Sequence, residues 1–395
     1  MTDADRGTRP SRLRELSRSL VLTELARSGA LSQADLVRST GLSRATVASI
    51  VTDLRAEGRL AARVGAEPAR RGRPPALLQL QAGPDTVIGV DFGHTHLTVA
   101  VADLDGRIQA ERHEPMDVHH AAERSLDRAA EVIADLLAEM DPAVPPVMVG
   151  VGVPGPIELD PSHPNGTFPG RVCAGTVLPS WTGFDPAAEM AKRTGLRVIA
   201  ENDANLGALG EHRFGAGRGV DNVVYVKVSS GIGTGLILGG GLYRGSRGAA
   251  GEIGHVQVRE DGALCRCGSR GCLETVASAD AALALLTPAH GRPMTAEDLF
   301  ALEAAHDPGV LRLLTDMGTA IGRVIAVVVA NLDPNMVIVG GSMARDALVD
   351  SVGVAIRRFN QPYVATDMTL ARAALDERSS LMGAIALAIE AVATA

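Results

Sequence analysis

Between Gly251 and Glu274 the chain reads GEIGHVQVREDGALCRCGSRGCLE, and this stretch holds three of its four cysteines. Cys265, Cys267 and Cys272 follow His255, the first of them ten residues on. One imidazole and three thiolates are the ligand set of a closed, tetrahedral structural zinc site. With all four places taken by protein, no position remains for a water, so such a metal is structural and not hydrolytic. Ligation through one ring nitrogen of His255 would present the other as a donor in a fixed direction. Free buried thiols are the bland alternative, and a histidine at this spacing argues against it. Glu252 and Glu274 crowd the same knot, while Cys173 lies outside it. A metal closed on so short a stretch fixes the local fold, and a small-molecule pocket held in shape is the expected result.

At 395 residues the chain is too long for one ordinary core, so two or three domains are expected. A hydrophobic content of 46% with 44 glycines describes a globular, turn-rich protein. No uninterrupted apolar run reaches membrane-spanning length, and the start, MTDADRGTRPSR, lacks the apolar core of a secretory signal. Cysteines concentrated in a metal-like cluster fit a reducing cytoplasm better than a disulfide scaffold. The net charge of −8 conceals an asymmetry. Residues 1–75 carry 14 arginines against 8 acidic residues, and the remainder carries 24 basic against 38 acidic. A basic head on an acidic body is the pattern expected when only the head meets nucleic acid.

The head, residues 11–81, carries matching local signals. Leu13, Leu16, Leu20, Val21 and Leu25 recur at helical spacing up to Gly29. Ser32 can cap a short second helix with Leu36 and Val37 inward, and Gly41 supplies a turn. Ser43 can cap a third helix whose buried stripe is Val47, Ile50, Val51 and Leu54, ending at Gly58. Two short helices around a glycine turn form a helix-turn-helix, whose second helix enters the major groove. Its outward residues, Ser43, Arg44, Thr46 and Ser49, can reach phosphates or base edges. Two extended arms, 60–64 and 76–80, flank the tip Arg70-Arg71-Gly72-Arg73, which reads as a cationic wing suited to a narrow minor groove. The competing reading is a dimerising three-helix bundle with a basic linker.

The body reads as two rounds of α/β structure. In the first, strands near 87–91 and 97–103 precede a helix from about 121 to 140, a buried strand in PVMVGVGVPG, a helix at 185–194 and a strand at 197–200. The second begins at NVVYVKVSSGIGTGLILGGGLYRG, passes the knot, and continues with helices at 278–286, 296–305 and 308–332. A strand in NMVIVGG and an apolar closing helix, SSLMGAIALAIEAVA, complete it. Two hairpin-led rounds point to a duplicated lobe with a cleft between the copies.

VGVPGPIE, ENDANLGALGE, SSGIGTGLILGGGLYRGSRGAAGEIGH, CRCGSRGCLE and NLDPNMVIVGG together resemble the ROK family of repressors, open reading frames and kinases. Within the family the chain resembles the winged-helix transcriptional-regulator branch, similar to xylose, glucose and N-acetylglucosamine repressors. The resemblance implies an N-terminal winged helix-turn-helix, α with a small β wing. An α/β sugar-kinase/actin-like, ribonuclease H-like two-lobed body would follow. It divides the chain into 11–81, a first lobe of 85–200 plus 379–395, and a second lobe of 201–378 with the knot and a dimerisation surface. It places structural zinc on His255, Cys265, Cys267 and Cys272, and sugar contacts on Asn202, Asp203, Glu252, His255 and Glu274. The bland reading is that Asn202 and Asp203 cap local structure.

In the family's kinases, Asp203 corresponds to the catalytic base that takes a proton from the attacking sugar hydroxyl. Phosphoryl transfer also needs backbone N–H groups close to the nucleotide phosphates. The first loop, Asp91-Phe92-Gly93-His94-Thr95, has His94 where kinases have glycine. A side chain there obstructs close approach and adds strain if φ is positive, which argues against ATP and magnesium. The second loop, Ser229 to Gly235, keeps its glycines, which a tight hairpin alone would also explain. The expected function is a sugar-responsive regulator, a repressor of carbohydrate-metabolism genes. Its partners are a palindromic double-stranded operator, a sugar or sugar-phosphate effector and its own copies in a homodimer or homotetramer, with no membrane. The alternative is a bifunctional or residual, glucokinase-like ATP-dependent sugar kinase using Asp203.

Overall fold

The computed structural model describes residues 14, 17, 18, 20–22, 24, 25, 30–56, 60–64, 76–80, 85–140, 145–158, 170–173, 177–363 and 367–394. In the head, every described position from 14 to 25 is helical, and helices Gln33–Thr40 and Arg44–Ala56 follow. Ser32 caps the first of these through a reciprocal box with Asp35, and Gly41 closes it at φ 67°. The Ser43 hydroxyl accepts from the Thr46 amide at 3.1 Å and starts the next helix. Strands β1 (Leu60–Val64) and β2 (Ala76–Leu80) pair antiparallel, and Leu31 bridges Leu78. Val21, Leu22, Leu25, Leu36, Val47, Ile50, Val51, Leu54, Leu60 and Leu78 make one core. Of the described residues at helical spacing, Val21 and Leu25 are buried and Leu20 is exposed, while Leu22 is also buried. Leu13, Leu16, Gly29, Gly58 and the wing tip Arg70, Arg71, Gly72 and Arg73 lie outside the described residues.

The body contains two five-stranded sheets of the same topology. In the first, β3 (Thr86–Phe92), β4 (His96–Asp103) and β5 (Ile108–Pro115) form an antiparallel meander. Strands β6 (Met148–Val153) and β9 (Val198–Asn202) add to β3 in parallel, giving the order β5-β4-β3-β6-β9. A small pair, β7 (Ile157–Glu158) and β8 (Arg171–Val172), lies outside this sheet. The second sheet repeats the scheme with β10 (Val223–Val228), β11 (Ile232–Leu238), β12 (Gly241–Leu242), β13 (Met336–Gly340) and β14 (Thr369–Arg372), in the order β12-β11-β10-β13-β14. Each sheet thus has an antiparallel hairpin side and a parallel side, which is the duplicated lobe that the two hairpin-led rounds imply.

The sequence pattern leaves several elements unmarked, among them β5, the short strands β7, β8, β12 and β14, and helix Asp203–Phe214. Strand β5 alternates half-buried and exposed positions along IQAERHEP, so an edge strand with almost no apolar face carries a weak pattern. Helix Asp203–Phe214 holds Gly207 and Gly210, which lower helix propensity. The glycines are needed by packing. A Cβ at 207 would lie 2.3 Å from the Tyr225 ring, and one at 210 would lie 2.2 Å from the Ser379 carbonyl. Helix Pro308–Leu332 is long and apolar enough by composition to cross a membrane, yet Val310, Leu314, Met317, Ile321, Ile325 and Val329 lie in the core of the second lobe.

The C-terminal helix, Ser379–Thr394, lies against both β3 and β6 and alongside Asp203–Phe214. Where these helices meet, Glu211 is fully buried. Its carboxylate accepts from the amides of Ala216, Ala374 and Leu375 and from the Ser379 hydroxyl, at 2.8 to 3.0 Å. All four donors are left without that acceptor if the side chain is shortened. Glu211→Ala is therefore expected to destabilise the body by about 3 kcal/mol, on the order of 6–12 °C in Tm. A thermal melt within about 1 °C of the wild type would contradict this assignment.

Candidate functional site

The knot is built by turns that bring distant donors together. Cys265 receives the Gly268 amide across a tight turn, and Gln257 pairs with Cys272. Gly251 adopts φ 93°, and a Cβ there would meet the Thr234 carbonyl at 1.9 Å, so only glycine lets the knot sit on β11. The ligand atoms of His255, Cys265, Cys267 and Cys272 all lie within 4.8 Å of one another. His255 Nδ1 is 3.5 Å from Cys265 Sγ, and Cys267 Sγ is 3.7 Å from Cys272 Sγ. Tetrahedral zinc, with Zn–S of about 2.3 Å and Zn–N of about 2.0–2.1 Å, sets these separations near 3.5 and 3.8 Å. The donor set and spacing fit zinc, held as a structural ion. Burial raises Cys265 to about 12 and also pushes Cys272 up; a bound cation reverses that tendency by stabilising the thiolates.

His255 also lines the cleft between the two sheets. With Nδ1 turned to the cysteines, its Nε2 stands 3.8 Å from Glu252 Oε2. The cleft has a volume of about 670 Å³, within the roughly 300–1,000 Å³ usual for small-molecule sites. Asn202, Asp203, Glu252, His255 and Glu274 all line it, so the chain brings the five residues to one place. They are not equally available. Asn202 Oδ1 accepts from the amides of Ala204 and Asn205, and its Nδ2 donates to the Gly155 carbonyl, as the capping alternative requires. Glu274 accepts from the Ile232 amide at 3.2 Å and pairs with Arg266 at 2.9 Å. Burial, reinforced by repulsion from Asp203 and Glu274, raises Glu252 to about 7.

Asp203 has an unforeseen partner. Lys227 Nζ lies 2.8 Å from Asp203 Oδ2. Burial favours the neutral amine, but the attraction of Asp203 and Asp91 and the bond to Asp203 outweigh it and hold the lysine above its ordinary range. The ammonium thus occupies Oδ2, leaving less of the carboxylate open to another donor. The sequence offered a signal for this residue: a lysine stands in the otherwise apolar strand VVYVKV of a chain with only two lysines. Arg266, inside the cysteine cluster, also lines the cleft, and no pattern in the sequence marks it.

Around the first loop, His94 does not have positive φ, so the strain considered for that position is not there. Its ring does occupy the cleft wall, 3.4 Å from His119 through the Nδ1 atoms. Burial, with Arg266 and Lys227 nearby, lowers it to about 3, and it is neutral. Beneath this loop the buried Trp181 donates to the Val118 carbonyl at 2.8 Å and meets Phe92 edge-on. The second loop is a hairpin turn between β10 and β11. Gly233 and Gly235 make room for Ala204 and Ala208, because Cβ atoms there would approach within 2.8 and 2.5 Å. Helix packing thus accounts for these glycines without a nucleotide. In the head, Ser43, Arg44 and Ser49 are exposed and Thr46 is half-buried, with its hydroxyl 2.8 Å from that of Ser43.

A winged helix joined to a two-lobed, sugar-kinase-like body with a metal knot at its cleft defines the class of protein. The chain belongs to the ROK family, whose model matches residues 87–391. It is 30% identical to the xylose repressor of Bacillus subtilis over 333 residues, 84% of this chain and 83% of that one. A crystal structure of a ROK family transcriptional regulator, a homologue of the Escherichia coli Mlc protein, superposes with TM-score 0.77 at 25% identity and covers 97% of both chains. A ROK glucokinase from Streptomyces griseus, solved with glucose and AMPPNP, gives TM-score 0.65 at 28% identity, covering 77% of this chain and 99% of its own.

One measurement checks the knot. The purified protein should carry about one zinc per chain, and Cys265→Ser or Cys272→Ser should lose it together with sugar affinity. Near-zero metal in folded, sugar-binding wild-type protein would remove the knot from the site.

Proposed function

We propose that this protein is a sugar-responsive transcriptional repressor of carbohydrate-metabolism genes, working in the cytoplasm. The observation that carries this reading is the 97% mutual coverage with a transcriptional regulator, where the glucokinase covers 77% of this chain. The head, taken as residues 11–81, reads a palindromic duplex operator as part of a homodimer or homotetramer. Arg44, Thr46, Ser43 and Ser49 contact the major groove, and Arg70, Arg71, Gly72 and Arg73 contact the minor groove. The effector is a sugar or sugar phosphate, held by Asp203, Glu252, Glu274 and the Nε2 donor of His255, with Asn202 framing its edge. It acts by preferring one spacing of the paired heads over another.

Kinase activity is the alternative, favoured by retention of Asp203 at the base position and by the glucokinase likeness. Two features oppose it: His94 in the first loop, and Lys227 paired with Asp203. An ADP-release assay with ATP, magnesium and a panel of sugars separates the readings. No turnover is expected; turnover abolished by Asp203→Asn would reverse the ranking.

On the DNA side, affinity for a selected operator should drop about a hundredfold between about 50 and 200 mM salt, for about four phosphates neutralised. Arg44→Ala and Thr46→Ala should each change base preference by about 1–3 kcal/mol at the affected position. Unchanged preference in both would remove Arg44–Ala56 as the recognition helix.

A further inference from the structure

The C-terminal helix touches both ends of the proposed circuit. At its start, the Ser380 hydroxyl donates to the Asp203 carbonyl at 2.9 Å, and Lys227 Nζ stands 3.4 Å from Ser380 Oγ. Lys227 is thus shared between a cleft carboxylate and this serine. At the other end, Ala393 is buried in the core of the head, in one cluster with Val21, Leu36, Val47 and Leu54. Among the described residues, the apolar core of the head takes in no other side chain of the body.

Between these ends the helix is gripped by backbone. From Ser379 to Ile389 every residue is buried. A Cβ at Gly150 would lie 2.0 Å from the Ala384 carbonyl, and one at Gly383 would lie 1.9 Å from the Leu206 carbonyl. Contacts of this kind have no flexible side chain to absorb a displacement. Sixteen residues span about 24 Å, so a tilt of about 5° at one end moves the other by about 2 Å.

We propose that helix Ser379–Thr394 carries occupancy of the cleft to the DNA-binding head, with Ser380 as its positioning residue. This rests on the sensor reading above. A sugar hydroxyl on Asp203 competes with the Lys227 ammonium, which then shifts its bonding toward Ser380. The start of the helix is pulled or released, and because the rod is rigid, the displacement appears at Ala393 inside the head. Coupling between two sites needs such an element, responsive at both ends.

The test uses the full-length protein with a duplex operator selected by that protein from a random pool. D-xylose, D-glucose and N-acetylglucosamine serve as probes. Three quantities are measured: operator Kd without sugar, sugar Kd without DNA, and the factor by which sugar changes operator Kd. Ser380→Ala should lower that factor at least about fivefold, with both separate affinities kept within about threefold. Ser380→Thr, which keeps the hydroxyl, should restore it. Ala393→Asp should lower the factor with sugar Kd unchanged; if it loses operator binding altogether, Ser380→Ala decides alone. A wild-type factor in Ser380→Ala overturns the inference and leaves the sensor reading standing. A wild-type protein that binds none of the sugars, or whose factor is one, overturns the sensor reading and this inference with it.

Discussion

Direct backbone contact at the centre of the body is the constraint on which the rest depends. Helices Asp203–Phe214 and Ser379–Thr394 lie against each other through Gly210 and Gly383, and the second lies against the first sheet through Gly89 and Gly150. Close approach of this kind gains dispersion contacts over many atoms but tolerates no added methyl group. It fixes the place where Asp203 enters the cleft, because Asp203 is the first residue of one of these helices. It also leaves polar groups buried at the helix junction, which Glu211 satisfies with four accepted bonds. Shape and polarity are solved together there.

The cleft illustrates how a fold shared with phosphotransferases can serve recognition. Its carboxylates remain, but two of the acids that line it have internal cations. Lys227 holds Asp203, and Arg266 holds Glu274. Such pairs hold the two carboxylates in fixed orientations and occupy one oxygen of each. Glu252 has no Lys or Arg partner among the described residues, and burial with repulsion from Asp203 and Glu274 raises it to about 7. The knot contributes a donor of fixed direction through His255. A pocket with donors and acceptors set in place is suited to reading a polyol.

Much of this was legible in the chain. The knot announced itself through residue types that rarely gather by chance, and its spacing matched the geometry of the ligand atoms. The duplicated lobe followed from two hairpin-led rounds, and the head from caps, turns and a buried stripe. What escaped depends on contacts between segments far apart in sequence. Lys227 and Asp203 are separated by 24 residues, and Ser380 and Asp203 by 177. Helix Asp203–Phe214 was hidden because the glycines that its packing demands are the ones that weaken a helical pattern. Leu20 shows the converse, a residue with the right spacing on the wrong side of a small helix.

Trp181 has a consequence of another kind. It is the only tryptophan in the chain, fully buried, bonded to Val118 and set against Phe92 beneath the loop that carries His94. Its indole therefore samples a single environment, the floor of one wall of the cleft, with no second emitter to blur it. The molecule carries its own optical gauge of that wall, placed where tyrosine and label chemistry need not intrude.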